Sequence, residues 1–392
     1  MTERLYYMDA YLTEFEARVV EIAADGRRLY LDRSAFYPTS GGQPHDTGTL
    51  GESRVTDVVD EQDRIAHVLD GAARLAAGDP VKGRVDWPRR IDHMQQHTGQ
   101  HLLSAVLEDL FGYHTVSVHF GDESSTLDID AESLSRDRLR RAEERANALV
   151  MEHRPVTVAF EDAASVTGLR KPSDRTGPLR IVTIEGVDRS ACGGTHVRST
   201  SEIGALIIRG TERVRKTTRV EFICGARARA GARADREALS AIAQTLSASI
   251  GEAPALVSAQ VQQLRDAESK RKRAEIELNG YRARELYDAS AANEAGLRIA
   301  IVQRDDAPMD ELRSLAQAFA ALPRALFIGS SRSAALVMVS ASGDAGMDAG
   351  AMLKAALTAA GGKGGGSPKL AQGTLPKAES IDDVLQALRA QL

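Results

Sequence analysis

The chain has 392 residues, 43% apolar and 27% charged, a composition expected of a soluble folded protein with two or three domains. Its formal net charge of −5 gives no general affinity for nucleic acid, and its two cysteines, Cys192 and Cys224, exclude a disulfide scaffold and suit a reducing compartment. No segment is apolar and long enough to cross a bilayer, and the start Met1-Thr2-Glu3-Arg4 lacks an apolar signal core, so a cytoplasmic location is expected.

Residues 1–85 read as a small β-rich domain. Val19-Val20-Glu21-Ile22, Leu29-Tyr30-Leu31-Asp32 and Val55-Thr56-Asp57-Val58-Val59 alternate or cluster as strands. Phe36 to Pro44, with Ser40-Gly41-Gly42-Gln43 inside it, reads as a loop rich in turn residues. Residues 86–225 mix helices and strands. Arg90 to Leu110 has helical spacing, with Leu102, Leu103, Val106 and Leu110 toward a core. Strands are expected near 115–120, 126–130, 156–160 and 180–185, a helix near 134–152, and two further strands at 204–208 and 219–223. Cys224 at the end of the last reads as a buried strand residue.

Residues 226–292 are rich in Ala, Arg, Glu and Leu. Leu239, Ile242, Leu246 and Ile250 make a narrow helical seam, Gly251 to Pro254 break it, and a second helix follows to about Ala292. This predicts a helical hairpin or stalk, with Lys270-Arg271-Lys272-Arg273 as a solvated face. Residues 293–392 return to a βα pattern, with strands at 297–303, 324–329 and 334–340 and helices at 309–321, 348–359 and 380–391. The run Gly361-Gly362-Lys363-Gly364-Gly365-Gly366-Ser367-Pro368-Lys369 reads as a structured loop. It fails the P-loop pattern, because Gly364 follows Lys363 where Ser or Thr is required, but its backbone N–H groups could still face a phosphate.

Two motifs carry the chemistry. His97-Thr98-Gly99-Gln100-His101 places two imidazoles on one helix face, since residues i and i+4 align. Cys192-Gly193-Gly194-Thr195-His196 brings a thiol and an imidazole together around two glycines that let the backbone fold back. Either pair alone is commonplace, as helix-surface histidines or a cysteine in a turn. Together they supply His, His, Cys and His, a zinc-type donor set, and so point to a hydrolase. His93 lies one turn before His97 and reads as a surface residue or as a partner behind a ligand in preference to a ligand itself. From Arg170 to Arg229 there are thirteen Lys or Arg against six Asp or Glu, a local basic excess that suits a polyanionic substrate.

These motifs resemble those of the free-standing alanyl-tRNA editing proteins of the AlaX type, long form, which are similar to the editing and C-terminal parts of alanyl-tRNA synthetase. The resemblance rests on Asp32 to Gly48 (DRSAFYPTSGGQPHDTG), Gln96 to Ser104 (QHTGQHLLS), Cys192 to Val197 (CGGTHV) and Gly361 to Gly373 (GGKGGGSPKLAQG), and covers nearly the whole chain. The histidine and cysteine motifs are shared with the threonyl-tRNA synthetase editing domain; the Gly-Gly-Gln loop and the glycine run favour the alanyl branch. The resemblance implies an α+β fold: a β-barrel-like domain (1–85), a zinc-containing editing domain (86–225), a helical hairpin (226–292) and a C-terminal α/β domain (293–392). It implies trans-editing, hydrolysis of the ester joining serine, or glycine, to the 3′ adenosine of tRNA(Ala).

By the same motifs the zinc ligands would be His97, His101, Cys192 and His196, with Gln43 lining the pocket. Ser34 stands where the family usually has Thr, and its hydroxyl would meet that of a seryl group. Lys363, Gly364, Lys369 and Arg219 would contact RNA, at the acceptor end and, through the stalk, at the elbow; the helical stalk or C-terminal domain could also form a homodimer. Four protein ligands make a closed site, so zinc either activates water or only positions substrate. The chain is too short for a synthetase core plus these domains and shows no ATP-activating motif, so ligase activity is not expected. The C-terminal domain also resembles one that accompanies DHH phosphoesterases, but Asp92-His93 is followed by Met94 and phosphodiester cleavage is disfavoured. Three other readings stay open: a zinc-stabilised tRNA-binding module without catalysis, a threonyl-type editing domain acting on another mischarged tRNA, and a zinc hydrolase acting on a small ester or amide, against which the basic stretch and the glycine run weigh.

Overall fold

A computed structural model describes all residues, 1–392. The chain is α+β and divides into two compact units, 1–241 and 242–392. In the first, β1 (Glu3–Arg4) pairs in parallel with β4 (Arg33–Ser34). A closed six-stranded barrel follows the order β2 (Glu14–Ile22), β3 (Arg28–Leu31), β7 (Ile65–Leu69), β6 (Ser53–Asp60), β5 (Gly48–Leu50), β8 (Pro80–Val85). Alternation makes the barrel: Phe15, Ala17 and Val19 of β2 and Val81 and Val85 of β8 point inward, their neighbours outward. Gly83 is required where β8 passes the Phe15 ring, since a Cβ there would lie 2.3 Å from Phe15 Cε1.

Helix α1 (Trp87–Phe111) leaves the barrel directly. Pro88 starts it and Gly112, at φ +70°, ends it. It lies against a four-stranded sheet ordered β14 (Leu206–Val214), β15 (Thr217–Cys224), β10 (Ser125–Ile129), β9 (Thr115–Phe120). The helix approaches this sheet closely at Gly99, whose Cβ would meet Cys224 Sγ at 2.3 Å. Helix α2 (Arg136–Met151), capped by the Ser135 side chain, covers the same core through Ala142, Ala146, Leu149 and Val150. A three-stranded antiparallel sheet, β11 (Val156–Asp162), β12 (Pro178–Ile184) and β13 (Asp188–Ala191), delivers the Cys192 segment. The polar strand β13 was not expected from sequence. Helix α3 (Gly225–Thr245) follows.

The second unit holds α4 (Ala253–Ala289), α5 (Met309–Ala320), α6 (Ala349–Ala359) and α7 (Ile381–Arg389) with one five-stranded sheet. Its order is β16 (Arg298–Arg304), β17 (Ala325–Ser331), β18 (Leu336–Ala341), β20 (Leu370–Thr374), β19 (Lys363–Gly366), and only β16–β17 is parallel. On α4, Val257, Val261 and Leu264 form an exposed apolar stripe, and Lys270 to Arg273 are exposed as expected.

The glycine run is a strand and not a loop. β19 pairs antiparallel with β20 and forms the sheet edge. Its glycines follow the strand period of two. A Cβ on Gly362, Gly364 or Gly366 would lie under 3.0 Å from Leu357, from the backbone of β20, or from both, whereas Gly365 has nothing within 4 Å. Close packing beneath α6 and along β20 explains three of these glycines without any ligand.

Candidate metal centre

Two elements bring four donors together. α1 presents His97 and His101 one turn apart, and the segment after β13 presents Cys192 and His196. Their ligand atoms all lie within 4.8 Å of one another. Cys192 Sγ stands 3.4 Å from His97 Nε2 and 3.3 Å from His196 Nε2. Gly194 must be glycine here, because its Cβ would lie 2.2 Å from His97 Cε1. Arg180, buried beneath, donates from Nη1 to the carbonyls of Cys192 and Gly194 at 2.8 and 2.9 Å and so fixes the turn.

Each histidine is held by its other nitrogen. The Thr195 backbone N–H donates to Gln43 Oε1 at 3.1 Å, which identifies that atom as the amide oxygen, an acceptor. His97 Nδ1, 2.8 Å from the same oxygen, therefore carries its proton and leaves the Nε2 lone pair facing Cys192. His101 Nδ1 donates to Asp188 Oδ2 at 2.7 Å. His196 Nδ1 lies 3.1 Å from Thr98 Oγ1. Such partners set the tautomer and ring orientation of metal-binding histidines. The four side chains thus fit a soft or borderline divalent metal such as zinc, by donor type and by the three Nδ1 partners.

The charges agree. Burial pushes His101 down, but the Asp188 carboxylate and Cys192 outweigh it and lift its pKa to about 9. Burial raises Asp188, yet its bond to His101 and the charge of Arg170 hold it at about 2. Cys192 is held well below the usual thiol range, against burial, by the neighbouring histidines. Burial, chiefly, and the neighbouring His97 depress His196 to about 3.

The other expected residues fall differently. Gln43 is buried behind His97, against its Nδ1. Ser34 is fully buried in β4, with Oγ 2.7 Å from His67 Nε2 and accepting from the Phe36 N–H at 3.1 Å. None of its hydrogen bonds reaches the four donors. His93 is not at the surface and backs no ligand: it is 2% exposed, neither ring nitrogen has a partner, and burial lowers its pKa to about 4. Arg219 pairs with Asp128 at 2.8 Å. Lys363, Gly364 and Lys369 lie on or beside the exposed edge strand of the second unit. The basic stretch is largely neutralised, with Arg170, Arg189, Arg198, Arg209, Arg213, Arg219 and Arg227 all in ion pairs.

Sequence reasoning missed Asp188, Arg180 and a buried clamp. Arg90 and Asp46, both side chains fully buried, are 2.5 Å apart. Arg90 also donates to the Ala35 carbonyl at 2.6 Å, and Asp46 accepts the Tyr37 N–H at 2.6 Å. The clamp therefore ties both ends of the loop carrying Gln43 to the helix carrying His97. Beside the donors opens a groove of about 350 Å³, lined among others by Gly41, Gly42, Gln100, His101, Thr115, Arg170 and Lys171.

Comparison with known proteins agrees with this architecture. The threonyl and alanyl tRNA synthetase second additional domain matches residues 179–221, the class II (A) tRNA synthetases match 7–89, and the DHHA1 domain matches 296–392. The alanyl-tRNA editing protein AlaX-M of Methanosarcina barkeri is 40% identical over 240 residues, 57% of this chain and 98% of that protein. The alanyl-tRNA editing protein Aarsd1 of Danio rerio is 36% identical over 239 residues, 56% of this chain and 58% of that protein. An alanine–tRNA ligase of Methanoregula boonei is 33% identical over 407 aligned positions, all of this chain but 43% of the ligase, so the chain spans less than half of that relative.

Proposed function

The chain belongs to the AlaX-type alanyl-tRNA editing proteins, and from that premise we propose that it deacylates tRNA(Ala) bearing a wrong amino acid. The reaction is hydrolysis of the ester between the 3′ adenosine and serine, with glycine as a second substrate. One observation carries this reading: three imidazoles and one thiol converge beside an open groove, each imidazole oriented by its outer nitrogen.

His97, His101, Cys192 and His196 would hold zinc, and bound there it supplies Lewis acidity next to the groove. The chain's own residues do the rest. Gln43 keeps the proton on His97 Nδ1, and Asp188 keeps it on His101 Nδ1. Arg180 holds the cysteine turn. Lys171, exposed at the groove, gives it a cationic side suited to the terminal phosphates of the RNA. Lys363 and Lys369, exposed, are RNA contacts in the same reading, whereas Arg219 is occupied by Asp128. We also propose that the chain is organised in four parts, with breaks near 85, 225 and 292. The exposed stripe Val257-Val261-Leu264 on α4 is the surface available for self-association.

The test is deacylation of seryl-tRNA(Ala) against alanyl-tRNA(Ala) by zinc-loaded protein and by Cys192→Ala. Rapid loss of serine, with alanine spared and the variant inactive, is expected. Tight tRNA binding without hydrolysis would leave only a binding module.

A further inference from the structure

Serine differs from alanine by one hydroxyl, so a site that prefers serine needs a polar atom that only serine can satisfy. Ser34, the residue expected to supply it, is fully buried in β4 and engaged by His67 and the Phe36 N–H. The polar side chains lining the groove can be taken one by one. Thr115 donates to Ser104 Oγ at 2.7 Å, and Ser117 to Asp128 at 2.7 Å. Ser190 donates to Asp188 at 3.0 Å, and Arg170 pairs with the same carboxylate at 2.6 Å. His101 belongs to the donor set. Lys171 is exposed at the mouth, and Ser173 beside it accepts the Arg175 N–H at 3.3 Å.

Gln100 remains. It sits on α1 beside His101, is 5% exposed, and lines the groove opposite Gly41 and Gly42. Its amide nitrogen donates to Ser104 Oγ at 2.8 Å, an oxygen that also receives the Thr115 hydroxyl. That tether fixes the side chain and leaves the amide oxygen without a protein partner.

We propose that Gln100 is the specificity residue of the groove, its side-chain oxygen accepting a hydrogen bond from the hydroxyl of the esterified amino acid. The assignment rests on the deacylase reading. An alanyl group cannot donate to this acceptor, and a seryl group can.

Gln100→Met keeps the length and removes the acceptor. The ratio of kcat/KM for seryl-tRNA(Ala) over alanyl-tRNA(Ala) should fall about tenfold. Gln100→Glu, which retains an acceptor of nearly the same shape, should keep most of the ratio. Ser104→Ala, which loosens the tether without touching the acceptor, should lower it by less than Gln100→Met does. Zinc content, read alongside, should stay at one ion per chain. A Gln100→Met ratio equal to wild type with zinc retained overturns the assignment and leaves deacylation standing. Should that variant not fold, equal ratios for Gln100→Glu, Ser104→Ala and wild type overturn it, and a graded fall in Ser104→Ala supports it. A wild-type protein that hydrolyses neither ester overturns the deacylase reading and this assignment with it.

Discussion

The donor quartet of the first unit and the glycine-rich edge of the second are both short, glycine-bearing motifs, yet they differ in what the glycines serve. At the quartet, Gly194 lets the backbone pass over the His97 ring, and polar side chains converge around it with partners behind them. At the edge, Gly362, Gly364 and Gly366 let β19 fit against β20 and Leu357 of α6. A motif marks chemistry when side-chain donors converge behind it; glycine alone marks only close approach.

That contrast can be broken in several ways. Arg90→Met leaves Asp46 buried and unpaired, so unfolding free energy measured in urea should drop by roughly 3–5 kcal/mol. An effect below ~1 kcal/mol would show that the clamp does not hold the loop to α1. Asp188→Asn removes the carboxylate behind His101, and zinc affinity by chelator competition should weaken roughly 10–100-fold. The same pair sets a pH dependence. His101 in the metal-free protein is lifted to about 9, so below that pH a metal must displace its proton. Zinc affinity should therefore fall as pH drops from about 9, by up to about tenfold per unit, and less steeply near neutrality in Asp188→Asn. On the other side, Gly364→Ala should cost about 1–3 kcal/mol of stability through overpacking, while Gly365→Ala stays within about 0.5 kcal/mol. Equal effects at the two positions would remove the packing explanation of the glycine run.

The parts readable in the sequence were those with short covalent spacing. His97 and His101 share a helix face because they are four apart, and Cys192 and His196 are joined by a turn that glycine permits. Strands β2, β3 and β6 were readable in part from their apolar residues, whereas β5, β7 and β8, which close the barrel, were not. What lay beyond reach depended on distant partners: Asp188 meets His101 across 87 positions and Arg90 meets Asp46 across 44. The polar sequence Asp188-Arg189-Ser190-Ala191 carries no apolar alternation, so β13 was invisible. The glycine run read as a loop because glycine disfavours strands in isolation; the neighbouring β20 and α6 override that preference. The local basic excess was real in sequence, but intramolecular carboxylates take up most of it.

The central claim is that His97, His101, Cys192 and His196 form one metal centre already oriented by Gln43, Asp188 and Thr98. Zinc stoichiometry combined with X-ray absorption at the zinc edge tests it most directly. The account predicts one zinc per chain in a shell of three nitrogens and one sulfur, with the sulfur lost in Cys192→Ala. A shell without sulfur in the wild-type protein, or no tightly held zinc at all, would contradict it.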